Sequence, residues 1–169
     1  FINNKNINNK EMKILELGTN HGYTTRILSP LFKKVSTFDK FDENLHRAKM
    51  INYDFSNIDY YKVDIYAEQW PFVEFDVAFI DCMHTYETVK HDIMNVLNLS
   101  NGKEVYFVFD DYGLNWGANA GQVKQAVDEF VNNDTIEIVK EIGHPKGTLV
   151  AKDSVLGAVE GLICKKVGV

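Results

Sequence analysis

The sequence predicts an α/β fold built on a doubly wound, mostly parallel sheet, and three observations carry that expectation. Short apolar runs such as Lys13-Ile14-Leu15-Glu16-Leu17 alternate with helix-compatible segments. Glycines and polar residues crowd the positions just after those runs, where open parallel sheets take their ligands. The tail then changes character to strands with little helix between them, which indicates an antiparallel hairpin at the end of the sheet.

Taken in order, Lys13 to Leu17 reads as a buried strand that stops at a glycine turn. Thr24 to Phe32 carries Ile27, Leu28 and Leu31 at helical spacing, with Pro30 kinking the helix or keeping it short. Val35 to Phe38 is a second strand, and Asp42 to Ile51 a polar helix with Asp42 as its N-cap. Ile58 to Val63 and Phe75 to Ile80 are the third and fourth strands. Thr85 caps a helix running to about Leu99, with Val89, Ile93, Val96 and Leu97 on one face. Val105 to Phe109 is a fifth strand and Gln122 to Val131 a helix burying Val123, Ala126, Val127 and Phe130. Thr135 to Ile142, Thr148 to Val150 and Leu162 to Val167 form the terminal strands. Five strand-helix units and a closing hairpin make a Rossmann-like sheet with helices on both faces.

A chain of 169 residues with 45% hydrophobic content suits one domain over residues 11–169, preceded by a polar linker over 1–10. The net charge of −6 argues against nucleic acid or an anionic membrane as the main partner. No apolar stretch is long enough to span a membrane and no secretory segment opens the chain, so a soluble, cytoplasmic protein is expected. Cys82 and Cys164 are far apart and read as two buried thiols in a reducing compartment. The start at Phe1 suggests a domain excised from a larger polypeptide.

The chemistry sits at the strand ends. After the first strand comes Glu16-Leu17-Gly18-Thr19-Asn20-His21-Gly22, whose glycines let backbone approach a ligand and whose following helix offers free amides. Asp39 ends the second strand about 20 residues beyond Gly18, the separation at which a carboxylate takes the hydroxyls of a ribose. Together these indicate an adenosine-type cofactor. The pyrophosphate pattern G-x-G-x-x-G fails because position 20 is Asn, which disfavours a nicotinamide dinucleotide. Asp64 ends the third strand as a further acidic station. The fourth and fifth strands deliver Asp81 and His84, then Asp110-Asp111-Tyr112. Hard carboxylate oxygens suit Mg²⁺ or Mn²⁺. An ion held there would acidify a hydroxyl, and either Asp81 or His84 could accept its proton.

The Glu-x-Gly-x-x-x-Gly pattern at Glu16 to Gly22 resembles the first signature of class I methyltransferases that use S-adenosylmethionine (SAM). Ile80-Asp81-x-x-His84-x-Tyr86-Glu87-x-Val89-x-x-Asp92, Phe109-Asp110-Asp111-Tyr112 and Val123 to Phe130 are similar, more narrowly, to the macrocin O-methyltransferase-like sugar O-methyltransferases. The likeness runs in order from about Lys13 to Phe130. It implies that SAM is held by Glu16, Gly18, Thr19, Asn20, Gly22, Tyr23, Thr24, Asp39, Lys40, Asp64, Ile65 and Asp81. It also implies a divalent metal on Asp81, Asp110 and Asp111, and transfer to a hydroxyl of a sugar or glycosylated small molecule. The sequence departs from the family at Ser100-Asn101-Gly102-Lys103, where relatives have proline-glycine-glycine, and in lacking a long N-terminal segment that covers the substrate. The acceptor site is therefore expected to be open, or completed by another domain or subunit, in keeping with one domain of a larger glycan-building protein. Two alternatives stay open: a metal-independent small-molecule methyltransferase relying on Asp81 and His84, and a SAM-binding module without catalysis. His21, His46, His91, His144, Trp70 and Trp116 read as loop, surface or partial core residues, with Trp116 able to stack on a sugar.

Overall fold

Ile14, Leu15 and Leu17 are fully buried in strand β1 (Lys13–Leu17), and Val35 and Phe38 in β2 (Lys34–Asp39). Strands apolar on both faces are what a covered parallel sheet demands. In the computed structural model, which describes residues 9–113, 117–143 and 159–168, the remaining strands are β3 (Ile58–Lys62), β4 (Val77–Ile80), β5 (Tyr106–Phe109), β6 (Ile136–Ile142) and β7 (Gly161–Lys166). The helices are α1 (Tyr23–Leu28), α2 (Asp42–Ile51), α3 (Tyr86–Leu99) and α4 (Gln122–Asn132). The seven strands are ordered β3-β2-β1-β4-β5-β7-β6, a mostly parallel sheet with helices around it and a C-terminal antiparallel hairpin. The expected fold class is the observed one.

The chain divides into two compact units, Phe1–Ala78 and Phe79–Val169. In the first, β1 pairs with β2 and β2 with β3, all parallel, from Lys13↔Lys34 to Asp39↔Lys62. Phe38 is its aromatic centre, with Tyr61 and Trp70 edge-on to it at 5.3 and 6.0 Å. In the second, β7 lies antiparallel to both β5 and β6, and Phe107 stacks on Phe109 at 5.8 Å. A register shift between Ile138 and Lys140 interrupts the β6 edge strand, and Glu137, Lys140 and Glu141 are exposed beside it. Both features discourage edge-to-edge pairing with another chain.

Several local expectations need correction. Helix α1 ends at Leu28, before Pro30, and only Leu28 of its apolar trio is buried; Ile27 and Leu31 are exposed. The spacing that suggested a helical face continues into a turn, so it does not mark one buried stripe. Asp42 is the first helical residue of α2 and not its cap, since Phe41 holds the extended N-cap position without a side-chain hydrogen bond. Residues 63–76 join β3 to β4 without a helix, so the series of five strand-helix units is broken there. β4 starts at Val77 because Asp76 turns its carboxylate onto the Lys13 amide at 2.8 Å. Cys82 is half-buried, whereas burial pushes the Cys164 thiol up to about 12. Trp70 is a full core residue. The Ser100 to Lys103 segment does turn, with Asn101 and Gly102 at positive φ. Thr148 to Val150, His144, Trp116 and most of the expected N-terminal linker lie outside the described residues. Among the described residues, no helix is long and apolar enough to cross a membrane.

Thr85 caps α3 as its sequence suggests: its hydroxyl accepts from the Thr88 amide at 3.3 Å, and the Thr88 hydroxyl accepts from the Thr85 amide at 3.2 Å. A Thr85→Ala variant is expected to lose about 1 kcal/mol of stability, read as a lower urea midpoint at unchanged slope, while Thr85→Ser retains most of it.

Candidate active site

The turn after β1 is shaped by its glycines. Gly18 and Gly22 have φ of 99° and 81°, a region that residues with a Cβ avoid. The amides of Gly18 and Thr19 both donate to the Phe38 carbonyl, at 3.0 and 3.1 Å, which binds the turn to the end of β2. Beneath it the Thr19 and Thr37 hydroxyls meet at 2.6 Å. Gly22 then begins α1 directly against α2: a Cβ there would lie 2.6 Å from the Ala48 Cβ. Buried Asn52 seals the contact by donating from Nδ2 to the carbonyls of Gly22 and Ala48, at 3.0 and 2.9 Å.

Two carboxylates complete this rim. Glu16 is wholly buried and accepts from the Thr25 hydroxyl of α1 at 2.6 Å. Asp39 accepts from the Asn20 amide at 2.8 Å through one oxygen and from the Phe41 amide at 2.8 Å through the other, while the Asn44 amide group donates to both. Of the expected cofactor residues, Glu16, Gly18, Thr19, Asn20, Gly22, Thr24 and Asp39 are thus gathered around one turn. Tyr23 and Lys40 stand exposed beside it. Asp64 and Ile65 form a turn of their own, in which Asp64 accepts from the Tyr66 amide at 3.2 Å and the Ile65 carbonyl accepts from Trp70 Nε1 at 2.8 Å. The roles of Thr25, Thr37, Asn52 and Trp70 escaped the sequence reading. Of these only Thr37, near the end of β2, stood where a sequence signal could have found it.

In the second unit, His84 Nε2 lies 3.5 Å from an Asp81 oxygen and 3.4 Å from an Asp111 oxygen. These are close charge contacts rather than formed hydrogen bonds, and Nε2 is buried without a hydrogen-bond partner. Asp81 foremost, with Asp111 and Asp110 adding to it, raises the imidazole above its ordinary pKa against the opposing effect of burial. Asp110 is pushed up to about 6, chiefly by burial and then by the neighbouring charges of Asp81 and Asp111. Its amide donates to the Ile80 carbonyl at 3.1 Å, so the cluster is tied to the end of β4. Asp111 takes φ of 53°, a left-handed conformation that Asp tolerates better than most residues. Gly113 follows where a Cβ would lie 1.6 Å from the Val159 carbonyl oxygen. Asp81, His84, Asp110 and Asp111 are therefore brought together as expected.

As a metal centre the arrangement fits in kind. Three crowded carboxylates, one of them resisting ionisation, are the donor set that a hard divalent cation would relieve. Among the described residues, however, no group of three or more His, Cys, Asp or Glu side chains converges closely enough to hold an ion as placed. His84 Nε2 lies between an Asp81 oxygen and an Asp111 oxygen.

A protein-family model described as a methyltransferase domain matches residues 15–112, which includes both rims. The chain belongs to this family. It is a class I SAM-dependent methyltransferase, and its fold agrees with solved structures of other methyltransferases. The N-methyltransferase NodS from Bradyrhizobium japonicum WM9, in complex with S-adenosyl-L-homocysteine, is 18% identical, with 92% of this chain and 76% of that one covered and a TM-score of 0.66. Phosphoethanolamine N-methyltransferase 1 from Haemonchus contortus is 12% identical over 96% of this chain and 40% of its own, with a TM-score of 0.67. The tRNA (m1A58) methyltransferase TrmI from Aquifex aeolicus is 23% identical over 94% and 62%, with a TM-score of 0.55. No curated protein matches the chain significantly.

The close seat of Gly22 on α2 makes it the most sensitive position of this methyltransferase's first rim. Gly22→Ala is expected to lower stability by about 1–3 kcal/mol, through both the positive φ and the contact with Ala48. Equilibrium denaturation checks this; a variant as stable as the parent would contradict the packing described.

Proposed function

We propose that this methyltransferase transfers the methyl group of SAM to a hydroxyl of a sugar or glycosylated small molecule, with a divalent cation assisting. The observation that carries the reading is the cluster of Asp81, His84, Asp110 and Asp111 at the ends of β4 and β5. An unassisted sugar hydroxyl is a poor nucleophile at neutral pH, and a methyltransferase for such an acceptor needs a means to orient and deprotonate it.

In this reading Glu16 serves the cationic methionine end of SAM, and the turn from Gly18 to Thr24, with Tyr23 beside it, accommodates the cofactor backbone. Asp39 takes the ribose hydroxyls in exchange for the Asn44 amide group, which now donates to both of its oxygens, since a carboxylate has about four acceptor sites and the backbone amides of Asn20 and Phe41 hold the other two. Lys40 flanks it. Asp64 and Ile65 meet the adenine, and Asp81 reaches the cofactor amine or the ion. Asp81, Asp110 and Asp111 would hold Mg²⁺ or Mn²⁺, which lowers the pKa of a bound hydroxyl. Asp81 or His84 then removes the hydroxyl proton while the oxygen attacks the methyl carbon and the sulfonium leaves as a neutral thioether. The donor is already activated, so alignment supplies most of the rate.

The same proposal has the enzyme working in the cytoplasm, with an acceptor side left open or completed by another domain or subunit. Several structural neighbours are named as nitrogen or RNA methyltransferases. A net charge of −6 disfavours an RNA acceptor, and an acidic cluster suits a neutral polyol better than it suits a phosphate backbone.

Calorimetric titration of SAM, with and without Mg²⁺, tests the cofactor half. Turnover on matched panels of deoxysugars and amines tests the acceptor half. The expected result is SAM binding that survives the paired change Asp110→Ala and Asp111→Ala, with sugar methylation falling roughly a hundredfold or more in that variant and after chelation. Failure to bind SAM would overturn the whole reading. Transfer to amines alone, or full activity under chelation, would remove the hydroxyl acceptor or the metal respectively. Separate Asp81→Ala and His84→Ala variants, each checked for SAM binding, identify the base.

A further inference from the structure

Helix α4 carries two matching polar groups, one on each side of its buried stripe of Val123, Ala126, Val127 and Phe130. On one side stand Gln122 and Glu129, two helical turns apart and so on one face. Glu129 accepts from the Tyr86 hydroxyl in a short hydrogen bond, and Lys90 donates to the Glu129 carboxylate at 2.8 Å and to the Tyr86 hydroxyl at 3.0 Å. Gln122 Oε1 accepts from the Tyr86 amide at 3.0 Å, satisfying one of the free amides at the start of α3. On the other side Asp128 accepts from the Tyr112 hydroxyl at 2.7 Å, and Lys124 donates to that hydroxyl at 3.1 Å while pairing with Asp128.

The two tyrosines are placed with purpose for the loops. Tyr86 follows the loop that holds Asp81 and His84, and Tyr112 directly follows Asp110 and Asp111. Tyr112 is itself buried, with its hydroxyl ending on Asp128 and Lys124 at the partly exposed side of α4. The loops also carry the Thr88 hydroxyl bond to the Met83 carbonyl at 3.0 Å and the Asp110 amide bond to the Ile80 carbonyl at 3.1 Å, and Asp111 is in a left-handed conformation. Three carboxylates held close together repel one another, and the loops would spread apart unless fixed from behind.

We propose that Asp128 and Glu129 are positioning residues for methyl transfer, fixing through Tyr112 and Tyr86 the two loops that present the acidic cluster. This rests on the reading of that cluster as the acceptor and cation site. Adjacent residues of one rigid helix thus hold one loop each, and the spacing of the carboxylates is set by α4 rather than by the loops. The Lys90 hydrogen bond holds the Glu129 carboxyl below its ordinary pKa, and Lys124 pairs with Asp128.

Hydrogen exchange of the whole protein, with Asp128→Asn and Glu129→Gln as near-isosteric changes, tests the anchors without an acceptor. Asp128→Asn is expected to speed exchange over residues 110–113 by about tenfold, and Glu129→Gln over 81–86, each leaving the other loop and the sheet unchanged. Acceleration everywhere, or in neither loop, overturns the proposal. Mn²⁺ titration followed by electron paramagnetic resonance, beside SAM titration, reads the consequence at the site. Both variants should bind Mn²⁺ about tenfold more weakly with SAM affinity unchanged, and Asp128→Glu should recover part of the loss. Equal weakening of both ligands points to general destabilisation and also overturns it. If the parent protein binds no Mn²⁺, the cation site itself fails, and the loop-specific exchange alone decides whether the anchors stand.

Discussion

Three carboxylates and an imidazole share the ends of β4 and β5, and the repulsion among the carboxylates is the constraint that the second unit has to satisfy. Burial and neighbouring charge push Asp110 up to about 6, so ionising the cluster fully at neutral pH works against the fold. A protein selected for stability alone would replace such residues with apolar or singly charged ones. His84 offsets part of the cost from within, placed 3.4–3.5 Å from two of the carboxylates with its pKa raised. The Asp110 amide bond to Ile80 ties the cluster to the end of β4, and the Tyr86 and Tyr112 hydroxyls bond to Glu129 and Asp128 of α4.

The first unit solves a different problem with almost no charge cost. Its turn must bring backbone amides close to a ligand while α1 and α2 pack at contact distance, and both needs fall on Gly22. A side chain would separate the helices and tilt the turn. Asn52 then holds the junction through two carbonyls, and Asp39 holds the Asn20 amide. Asp39 therefore has a structural duty as well as the ribose-binding role proposed for it. A carboxylate that already orders the turn is also correctly placed when the cofactor arrives, which reduces the ordering left for binding to impose.

How legible this was in the sequence follows from what each signal encodes. The strands and α3 and α4 were legible because burial on one or both faces imposes a regular apolar pattern, and the Thr85 cap because its partner is only one turn away. The members of both rims were legible because residues after parallel strands reach one edge of the sheet, and a patterned resemblance placed them in order. Helix α1 was misread because the apolar residues Ile27 and Leu31 are exposed and carry no packing information. The missing helix between β3 and β4 leaves no positive mark, since a helix-free connection over 63–76 can hold core residues such as Trp70 and Val73 just as a helix would. Asn52 and Thr25 were invisible because their partners are brought near by folding alone.

The pairing of Tyr86 with Glu129 and Tyr112 with Asp128 shows where such long-range information can still leave a trace. Both acidic residues sit within the motif around Val123 to Phe130, yet neither follows a strand, and by sheet logic alone neither belongs to a site. The Lys124–Asp128 pair at i, i+4 would ordinarily read as a solvated helix pair of small energetic consequence, and Lys90 reaches Glu129 from the neighbouring helix. What changes their meaning is the third member in each case, a phenol hydroxyl from the first residue of α3, just after Asp81 and His84, or from the residue after Asp110 and Asp111. An exposed ion pair contributes little to stability by itself, but one that terminates on a loop tyrosine limits where that loop can go. The structural weight of these residues therefore lies in geometry passed to their neighbours rather than in the strength of the pairs they form.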